Sequence, residues 1–332
     1  MIRKRVPSRW STAALALAAA MAGVCAAASP SLAADRFPSR PITLVVPFAP
    51  GGNLDVVART LAPAFEKAIG QTVIVDNRAG AGGAIGASYV ARAEADGHTL
   101  LVTTPNAVGI LPQMTRTTYR LASFQPVGRI ATTPLVVMVR KQSPYADIAA
   151  LLADARARPG RISVGHSGPG TTNHIAIFQL EDAAKIELNV IAYKGSGPAL
   201  IDLIGGQVDS MVDQLSSSTT HIQSGALRPL AVMSRERDPA LPGGPTLREA
   251  GLAGFDATTA SGLLAPAGTP AATVELLGEA LRKALADPAV AARLAVLGSP
   301  ARPAGVAEWT AQLQQEEKRG VALAAAGKLK TD

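Results

Sequence analysis

The stretch Ile42-Thr43-Leu44-Val45-Val46-Pro47-Phe48-Ala49-Pro50-Gly51-Gly52-Asn53-Leu54-Asp55 joins an apolar run to a helical pattern. The run 42–46 predicts a buried strand, and apolar residues at positions 54, 57, 58, 61, 65, 68 and 69 predict an amphipathic helix. The loop between them holds two prolines and two glycines but no nucleophile or base. Free N–H groups at a helix N-terminus attract anions. The loop therefore predicts an anion-binding turn or, alternatively, an ordinary turn capped by Asn53 or Asp55.

Residues 1–34 predict a cleaved secretory signal peptide. Basic residues at positions 3, 4, 5 and 9 precede an uncharged, Ala-rich run over 13–28, and small residues surround Ala33. The only cysteine, Cys25, would leave with this segment. We therefore expect a mature chain with no lipid anchor, no thiol, no disulfide and no cysteine-ligated metal.

Composition argues against two classes of function. Four of the 32 Lys and Arg residues and none of the 25 Asp and Glu residues lie in 1–34, which leaves a net charge of +3 on the remainder. Aromatic residues make up 4% of the chain, and no basic helix stripe accompanies them, so we expect no nucleic-acid binding. After the signal, no segment approaches 18 uncharged apolar residues, so none predicts a membrane span. About 300 residues suggest two domains.

Strand and helix patterns alternate along most of the chain, which predicts α/β layers with largely parallel sheets. The predicted strands are 42–46, 72–75, 99–103, 124–130, 135–139, 162–164, 188–191, 208–212, 229–232 and 261–265. The predicted helices are the one after Asn53 and 84–93, 148–158, 171–184, 198–204, 273–286 and 306–326.

A second strand-to-helix loop carries two competing predictions. Gly165-His166-Ser167-Gly168-Pro169 resembles the nucleophile elbow of serine hydrolases, with Ser167 as nucleophile, but Pro169 replaces the last glycine. The stretch from Ser167 to Asn173 is also a helix N-terminus rich in hydroxyls and N–H groups, which suits an anion. Capping by Thr171 or Thr172 is compatible with that role.

A third loop, Tyr193-Lys194-Gly195-Ser196-Gly197-Pro198, has the same character. Asp213 follows at the carboxyl end of a buried-looking strand. Since ligands bind at the carboxyl ends of strands in open α/β sheets, three such loops favour a ligand receptor. No cluster of acidic residues and histidines has the spacing of a metal site, so we expect neither metal nor cofactor.

The glycine-rich stretch Gly80-Ala81-Gly82-Gly83-Ala84-Ile85-Gly86 invites a dinucleotide-binding interpretation. Its spacing is G-x-G-x-x-x-G, and no acidic residue ends the next strand, where a ribose partner would be expected. The favoured interpretation is a connection that lets a helix approach the sheet closely.

Four segments together resemble the periplasmic receptors of tripartite tricarboxylate transporters, the Bug-type receptors, from about residue 37 to the C-terminus. They are FPSRPITLVVPFAPGGNLDVVAR (37–59), IGQTVIVDNRAGAGGAIGASYVARAEADGHTLL (69–101), YKGSGPALIDLIGGQVDSM (193–211) and LLAPAGTP (263–270). Two features depart from the family pattern. Ala260 and Ser261 stand before Gly262 where the family usually has aromatics, and Pro63 interrupts the first helix.

The resemblance implies a two-lobed periplasmic-binding-protein-like α/β fold, each lobe a mixed, largely parallel sheet flanked by helices, with the ligand in the cleft between lobes. Lobe 1 would comprise 35–135 plus 258–332, and lobe 2 would comprise 136–257. The implied function is capture of a small carboxylate in the periplasm by a monomer that is not an enzyme and that passes the ligand to permease subunits or a sensor. The predicted ligand-binding residues are Phe48, Ala49, Pro50, Gly51, Gly52, Asn53, Asp55, Thr104, Asn106, Ser167, Thr171, Thr172, Asn173, Tyr193, Gly195 and Asp213.

Overall fold

A computed structural model describes residue 2, residues 37–327 and residue 329. The predicted signal peptide and its cleavage site lie outside the described residues, apart from residue 2. The described residues from Pro38 onward form one compact unit. None of the described helices is long and apolar enough to cross a membrane.

The unit contains ten strands in chain order. They are β1 (Ile42–Val46), β2 (Val73–Asn77), β3 (Thr99–Thr103), β4 (Phe124–Arg140), β5 (Ser163–His166), β6 (Asn189–Ala192), β7 (Ser210–Gln214), β8 (Leu227–Val232), β9 (Thr258–Pro266) and β10 (Ala301–Ala304).

Eleven α-helices lie among the described residues, together with 3₁₀ turns at Ala81–Gly83 and Leu121–Ser123. They are α1 (Asn53–Ile69), α2 (Ala84–Ala91), α3 (Pro105–Gly109), α4 (Leu111–Met114), α5 (Ile148–Ala157), α6 (Thr172–Ala184), α7 (Ser196–Gly205), α8 (Leu215–Gln223), α9 (Ala271–Leu285), α10 (Pro288–Val296) and α11 (Val306–Ala325).

The strands form a mixed sheet in the order β2-β1-β3-β9-β4-β7-β5-β6, with β8 and β10 also paired to β4. Parallel pairs lie at the two outer ends, where β1 pairs with β2 and β3, and β5 pairs with β6 and β7. The pairs that involve β4 and β9 are antiparallel. Parallel strands bring their carboxyl ends to one edge, so the loops after β1, β5 and β6 can meet there.

Strand β4 corrects a sequence prediction. Two strands, 124–130 and 135–139, were expected, whereas one strand of 17 residues runs from Phe124 to Arg140. Its first part pairs with β9 as far as Pro134, and its second part pairs with β7 and β8 from Leu135 onward. Pro134, which donates no N–H to a ladder, lies at the point where the partners change.

The hydrophobic clusters follow the same change of partners. Val45, Leu101, Leu264 and Trp309 belong to one cluster around β1, β3 and β9. Leu135, Val137 and Val139 of β4 belong to a different cluster, which includes side chains of α5 and α6. We keep the lobe boundaries after residue 135 and before residue 258 as a prediction that agrees with this pattern.

Helix α1 shows how sequence positions one wall of the site. Its buried face carries Leu54, Val57, Leu61 and Phe65, at the predicted spacing. The helix continues past Pro63 and ends at Gly70, whose left-handed backbone (φ 76°) lets its N–H bond to Glu66 O. Burial of the apolar face fixes the orientation of the helix N-terminus, which directly follows the Pro-Gly-Gly loop.

Candidate functional site

The three predicted loops meet around one narrow cavity of about 20 Å³, roughly the space that one water molecule needs. They are the loop after β1 (47–52), the loop after β5 (167–171) and the loop after β6 (193–195), and each leads into a helix. The cavity is lined by Phe48, Gly52, Asn53, Leu54, Thr104, Ser167, Thr171, Thr172, Ser196 and Gln214. None of these side chains is ionisable.

Seven of the sixteen predicted site residues line this cavity: Phe48, Gly52, Asn53, Thr104, Ser167, Thr171 and Thr172. The sequence interpretation missed Leu54, Ser196 and Gln214. Their positions carried a signal, since Leu54 and Ser196 open helices and Gln214 ends a strand. The other predicted residues lie in the same loops or directly behind the lining, as follows.

Asp55 shapes the first loop from behind. Its carboxylate accepts hydrogen bonds from the Gly51 N–H at 3.0 Å, from Asn77 Nδ2 at 2.9 Å and from Arg59 Nε at 3.0 Å. The N-cap of α1 is Gly52, and no side chain caps it. The alternative of a turn capped by Asn53 or Asp55 is therefore wrong in its detail: Asp55 accepts from the Gly51 N–H, and no side chain caps the N-terminus of α1.

Asn53 places a buried polar group at the cavity wall. Its Oδ1 accepts hydrogen bonds from Ser216 Oγ at 2.6 Å and Thr133 Oγ1 at 3.3 Å, and Thr133 Oγ1 also lies 2.6 Å from Ser299 Oγ. Asn53 Nδ2 is buried and has no partner among the described atoms. A buried donor without a hydrogen-bond partner lowers the stability of the fold. Nδ2 is therefore the group of this cavity wall that would gain most from a bound acceptor.

The second loop begins helix α6 as predicted. Thr171 is the N-cap, and its Oγ1 accepts from His174 N and donates to Gly168 O at 2.7 Å. Thr172 Oγ1 donates to Asn106 Oδ1 at 3.2 Å, which ties α6 to α3. Asn106 thus contacts the lining through Thr172.

The histidines beside Ser167 are not arranged as a catalytic base for it. His166 Nδ1 lies 3.0 Å from Gly168 O and 3.2 Å from Gly168 N, and its ring stacks on that of His174 with centroids 4.4 Å apart. Burial, with a smaller effect of His174, lowers the pKa of His166 to about 3. His166 is therefore neutral at neutral pH, and its ring holds the backbone of the loop.

Asp213 lies behind the third loop and is fully buried. It accepts hydrogen bonds from Ser196 Oγ at 2.6 Å, Ser217 Oγ at 2.5 Å and Asn173 Nδ2 at 2.9 Å. Burial raises the pKa of Asp213 to about 6, against the opposing effect of these donors. Gln214 Nε2 donates to Asn173 Oδ1 at 2.9 Å, so Asp213 and Asn173 fix the lining residues Ser196 and Gln214.

The first and third loops touch each other through their backbones. Ala49 N–H donates to Lys194 O at 3.0 Å. Gly195 has φ 133°, and a Cβ added there would lie 2.9 Å from Ala49 N. Tyr193 turns away from the cavity and donates to Asp202 Oδ2 at 2.8 Å.

The glycines at 80–86 serve close packing. A Cβ at Gly86 would lie 2.7 Å from Pro47 Cα, and one at Gly83 would lie 3.1 Å from Phe48 Cζ. Helix α2 thereby packs directly on the first loop. This contact agrees with the favoured interpretation of the stretch.

The arrangement can hold an anion without a cationic side chain. Helices α1, α6 and α7 point their N-termini at one cavity, and the positive ends of their dipoles favour negative charge. Hydroxyls of Thr104 and Ser167 add neutral donors, whereas the Thr172 hydroxyl already donates to Asn106 Oδ1. Within the described part of the chain, no group of three acidic, histidine or cysteine side chains is placed to hold a metal ion.

Known proteins share both this sequence and this structure. BugT of Bordetella pertussis is 40% identical over 286 residues, which cover 84% of this chain and 86% of BugT. MatC from Rhodopseudomonas palustris, solved with bound malate, is 34% identical with a TM-score of 0.82, over 87% of this chain and 100% of MatC. R. palustris Rpa4515, solved with adipate, has the same identity and TM-score, over 87% of this chain and 97% of its own.

These similarities confirm the predicted α/β binding-protein fold and the family resemblance. The model of the tripartite tricarboxylate transporter family receptor matches residues 57–323. This range contains α6, α7 and most of α1, the helices that surround the cavity. The chain belongs to the tripartite tricarboxylate transporter receptor family, whose members are solute-binding receptors.

Proposed function

We propose that this protein captures a small organic carboxylate in the periplasm and holds it in the cavity between the three loops. One observation carries the proposal: the first residues of three helices line a cavity whose other lining groups are hydroxyls, two amides and two apolar side chains, with no ionisable side chain. Helix dipoles and N–H groups supply the attraction for a carboxylate. The malate bound to MatC and the adipate bound to Rpa4515 support this class of ligand.

We assign the predicted site residues to two roles. Direct contacts would come from the cavity lining, with Asn53 Nδ2 as a side-chain donor. Indirect support would come from Asp55, Asn106, Asn173 and Asp213, which hold the lining residues by hydrogen bonds. Ala49, Pro50, Gly51, Tyr193 and Gly195 would shape the loops.

Capture and release would follow from movement of the two predicted lobes. The cavity lies between α1 and α6, which belong to different predicted lobes, so a ligand that contacts both favours the closed arrangement. We propose that a monomer, exported with the aid of residues 1–34, delivers its ligand to the membrane permease of a tripartite tricarboxylate-type transporter or to a sensor.

We propose that no reaction accompanies binding. Ser167 lines the cavity, but Nδ1 of His166 contacts Gly168, and the low pKa of His166, about 3, makes it a weak base for activating Ser167. A fluorophosphonate probe should leave Ser167 unlabelled. Labelling of Ser167 that its substitution by alanine abolishes would support the hydrolase alternative instead.

The test of the proposed function is a thermal-shift screen of mono-, di- and tricarboxylates, including malate and adipate. A ligand that binds only the folded state raises the melting temperature by mass action. At least one carboxylate should raise it in a concentration-dependent way. A flat response to every carboxylate, with stabilisation by a neutral sugar or a cation, would contradict the proposal.

A further inference from the structure

Closure of the site depends on backbone contacts that leave no room for a side chain. Gly197 of α7 packs on the first loop, and a Cβ added to it would fall far inside van der Waals contact with Pro50 O. Its neighbour Lys194 accepts the hydrogen bond from Ala49 N–H at 3.0 Å. The Pro50 carbonyl therefore packs directly against the backbone of α7 at Gly197.

A second contact of the same kind lies on another side of the site. A Cβ at Gly82 would fall far inside contact with Pro169 O, and one at Gly168 would lie 3.3 Å from Gly82 Cα. In each contact, a residue of predicted lobe 1 packs against a residue of predicted lobe 2.

We propose that Gly197 is an affinity-determining residue that acts by permitting closure and does not touch the ligand. The inference rests on the proposed function. Gly197 is absent from the cavity lining, and its close neighbour is protein backbone. A side chain at 197 holds Pro50 away, stretches the bond from Ala49 to Lys194 and lowers the closed fraction. Apparent affinity falls in proportion to that fraction.

Gly197 allows a cleaner test than the other close glycines. Gly82, Gly168 and Gly195 have positive φ, so any substitution there is strained whatever the space. Gly197 lies inside a helix without positive φ. Alanine at 197 keeps the N–H and is a better helix former, so helix α7 itself is unharmed and the cost falls on the contact with Pro50 O.

The matched control is Gly205→Ala in the same helix, where an added Cβ meets nothing within 4 Å. Calorimetry with malate and with adipate should show Gly197→Ala binding about tenfold or more weakly than wild type. Gly205→Ala should stay within about twofold. Without ligand, Gly205→Ala should melt at or above the wild-type temperature, and Gly197→Ala should still show a cooperative unfolding transition.

A distance measurement tests closure even without a bound carboxylate. Cys25, the only cysteine of the chain, is replaced by serine, and spin labels are placed at Ile85 in α2 and Ile201 in α7, which are 55% and 71% exposed. The distance distribution of wild type, alone and with 10 mM malate or adipate, should contain a closed component that Gly197→Ala loses and Gly205→Ala keeps.

The outcomes distinguish a failure of the proposed ligand class from a failure of the proposed role of Gly197. If wild type binds neither carboxylate, the proposed ligand class is in doubt, while the distance distributions still test Gly197. The inference is overturned if Gly197→Ala has the same closed component as wild type in every condition. It is also overturned if its affinity for a carboxylate that wild type binds is unchanged.

Discussion

Asn53 lies in the first turn of α1, and its side-chain amide is buried. Two hydroxyls, from Ser216 and Thr133, donate to its carbonyl oxygen, and Nδ2 is buried without a hydrogen-bond partner among the described atoms. Thr133 belongs to predicted lobe 1, and Ser216 belongs to predicted lobe 2. We propose that Asn53 couples contact between the predicted lobes to recognition of an acceptor.

Asn53→Asp should abolish this recognition while sparing the fold. The aspartate still accepts from Ser216 and Thr133, and negative charge at the start of a helix is stabilising. It loses the Nδ2 donor, worth about 1.5–3 kcal/mol when the acceptor is charged, and repels an anionic ligand. Calorimetry should show carboxylate affinity reduced about tenfold to hundredfold or more.

The control for Asn53 is Asn189→Asp, a charge change at an exposed residue of β6. Its affinity should stay near that of wild type. A well-folded Asn53→Asp protein with unchanged carboxylate affinity would remove Asn53 from the binding site.

Asp213 makes a pH-dependent contribution to stability. Burial raises the pKa of its carboxyl from 3.8 to about 6, so between these values the folded state holds a proton that the unfolded state has lost. The contribution is full below about pH 4 and disappears as pH rises through 6. At about 1.4 kcal/mol per pKa unit, it amounts to about 3 kcal/mol.

Asp213→Asn isolates that contribution, since other titrating groups are common to both proteins. Denaturant unfolding at pH 4 and pH 7.5 should show wild type losing about 3 kcal/mol more stability than the variant on going to the higher pH. Parallel losses in the two proteins would mean that the Asp213 carboxyl titrates normally.

At the scale of elements, the first loop depends on a left-handed residue, Gly51, with φ 84°. Space is not the constraint, because an added Cβ would lie 3.7 Å from Gly197 Cα. The constraint is the backbone, which Asp55 fixes through the Gly51 N–H. An L-residue at this φ costs about 1–2 kcal/mol.

Gly51→Ala and Gly70→Ala form a matched pair. Gly70, at the other end of α1, has φ 76° and nothing within 4 Å of an added Cβ. Both variants should lose about 1–2 kcal/mol of unfolding free energy, but only Gly51→Ala should also weaken carboxylate binding, because its loop relaxes. Equal affinity in both variants would show that the loop conformation does not matter to the ligand.

The sequence predicted most elements because their patterns are local. Helices α1 and α6 and strands β1 and β3 lie within a residue or two of their predicted bounds. Helix α8 was missed, since Leu-Ser-Ser-Ser-Thr-Thr favours caps and turns in isolation. In the fold, Ser218 and Thr219 donate back to carbonyls of the preceding turn, and Thr219 also reaches Leu297 O.

The candidate site was predictable where a loop follows a strand and opens a helix. Gly52, Asn53, Ser167 and Thr172 are found at the cavity on that basis. Long-range contacts were not predictable: the amide of Asn53 meets Ser216 across 163 positions of sequence. The continuity of β4 likewise depends on partners that only the assembled sheet provides.

At the scale of the whole molecule, β4 spans the sheet and changes partners at Leu135. The first loop and α1 lie on one side of this change, and α6 and α7 lie on the other in the predicted division. Because the cavity is lined by residues from both sides, ligand binding and closure are expected to be one event.

The measurement that tests the central claim most directly is calorimetry of the best-binding carboxylate from the screen beside its primary amide, at pH 7.5. Conversion to the amide removes the charge that helix N-termini and N–H donors attract, a loss of about 1.5–3 kcal/mol for each charge-assisted hydrogen bond. We expect the amide to bind about tenfold to hundredfold more weakly or not at all. Equal dissociation constants for acid and amide would contradict an anion site built from three helix N-termini.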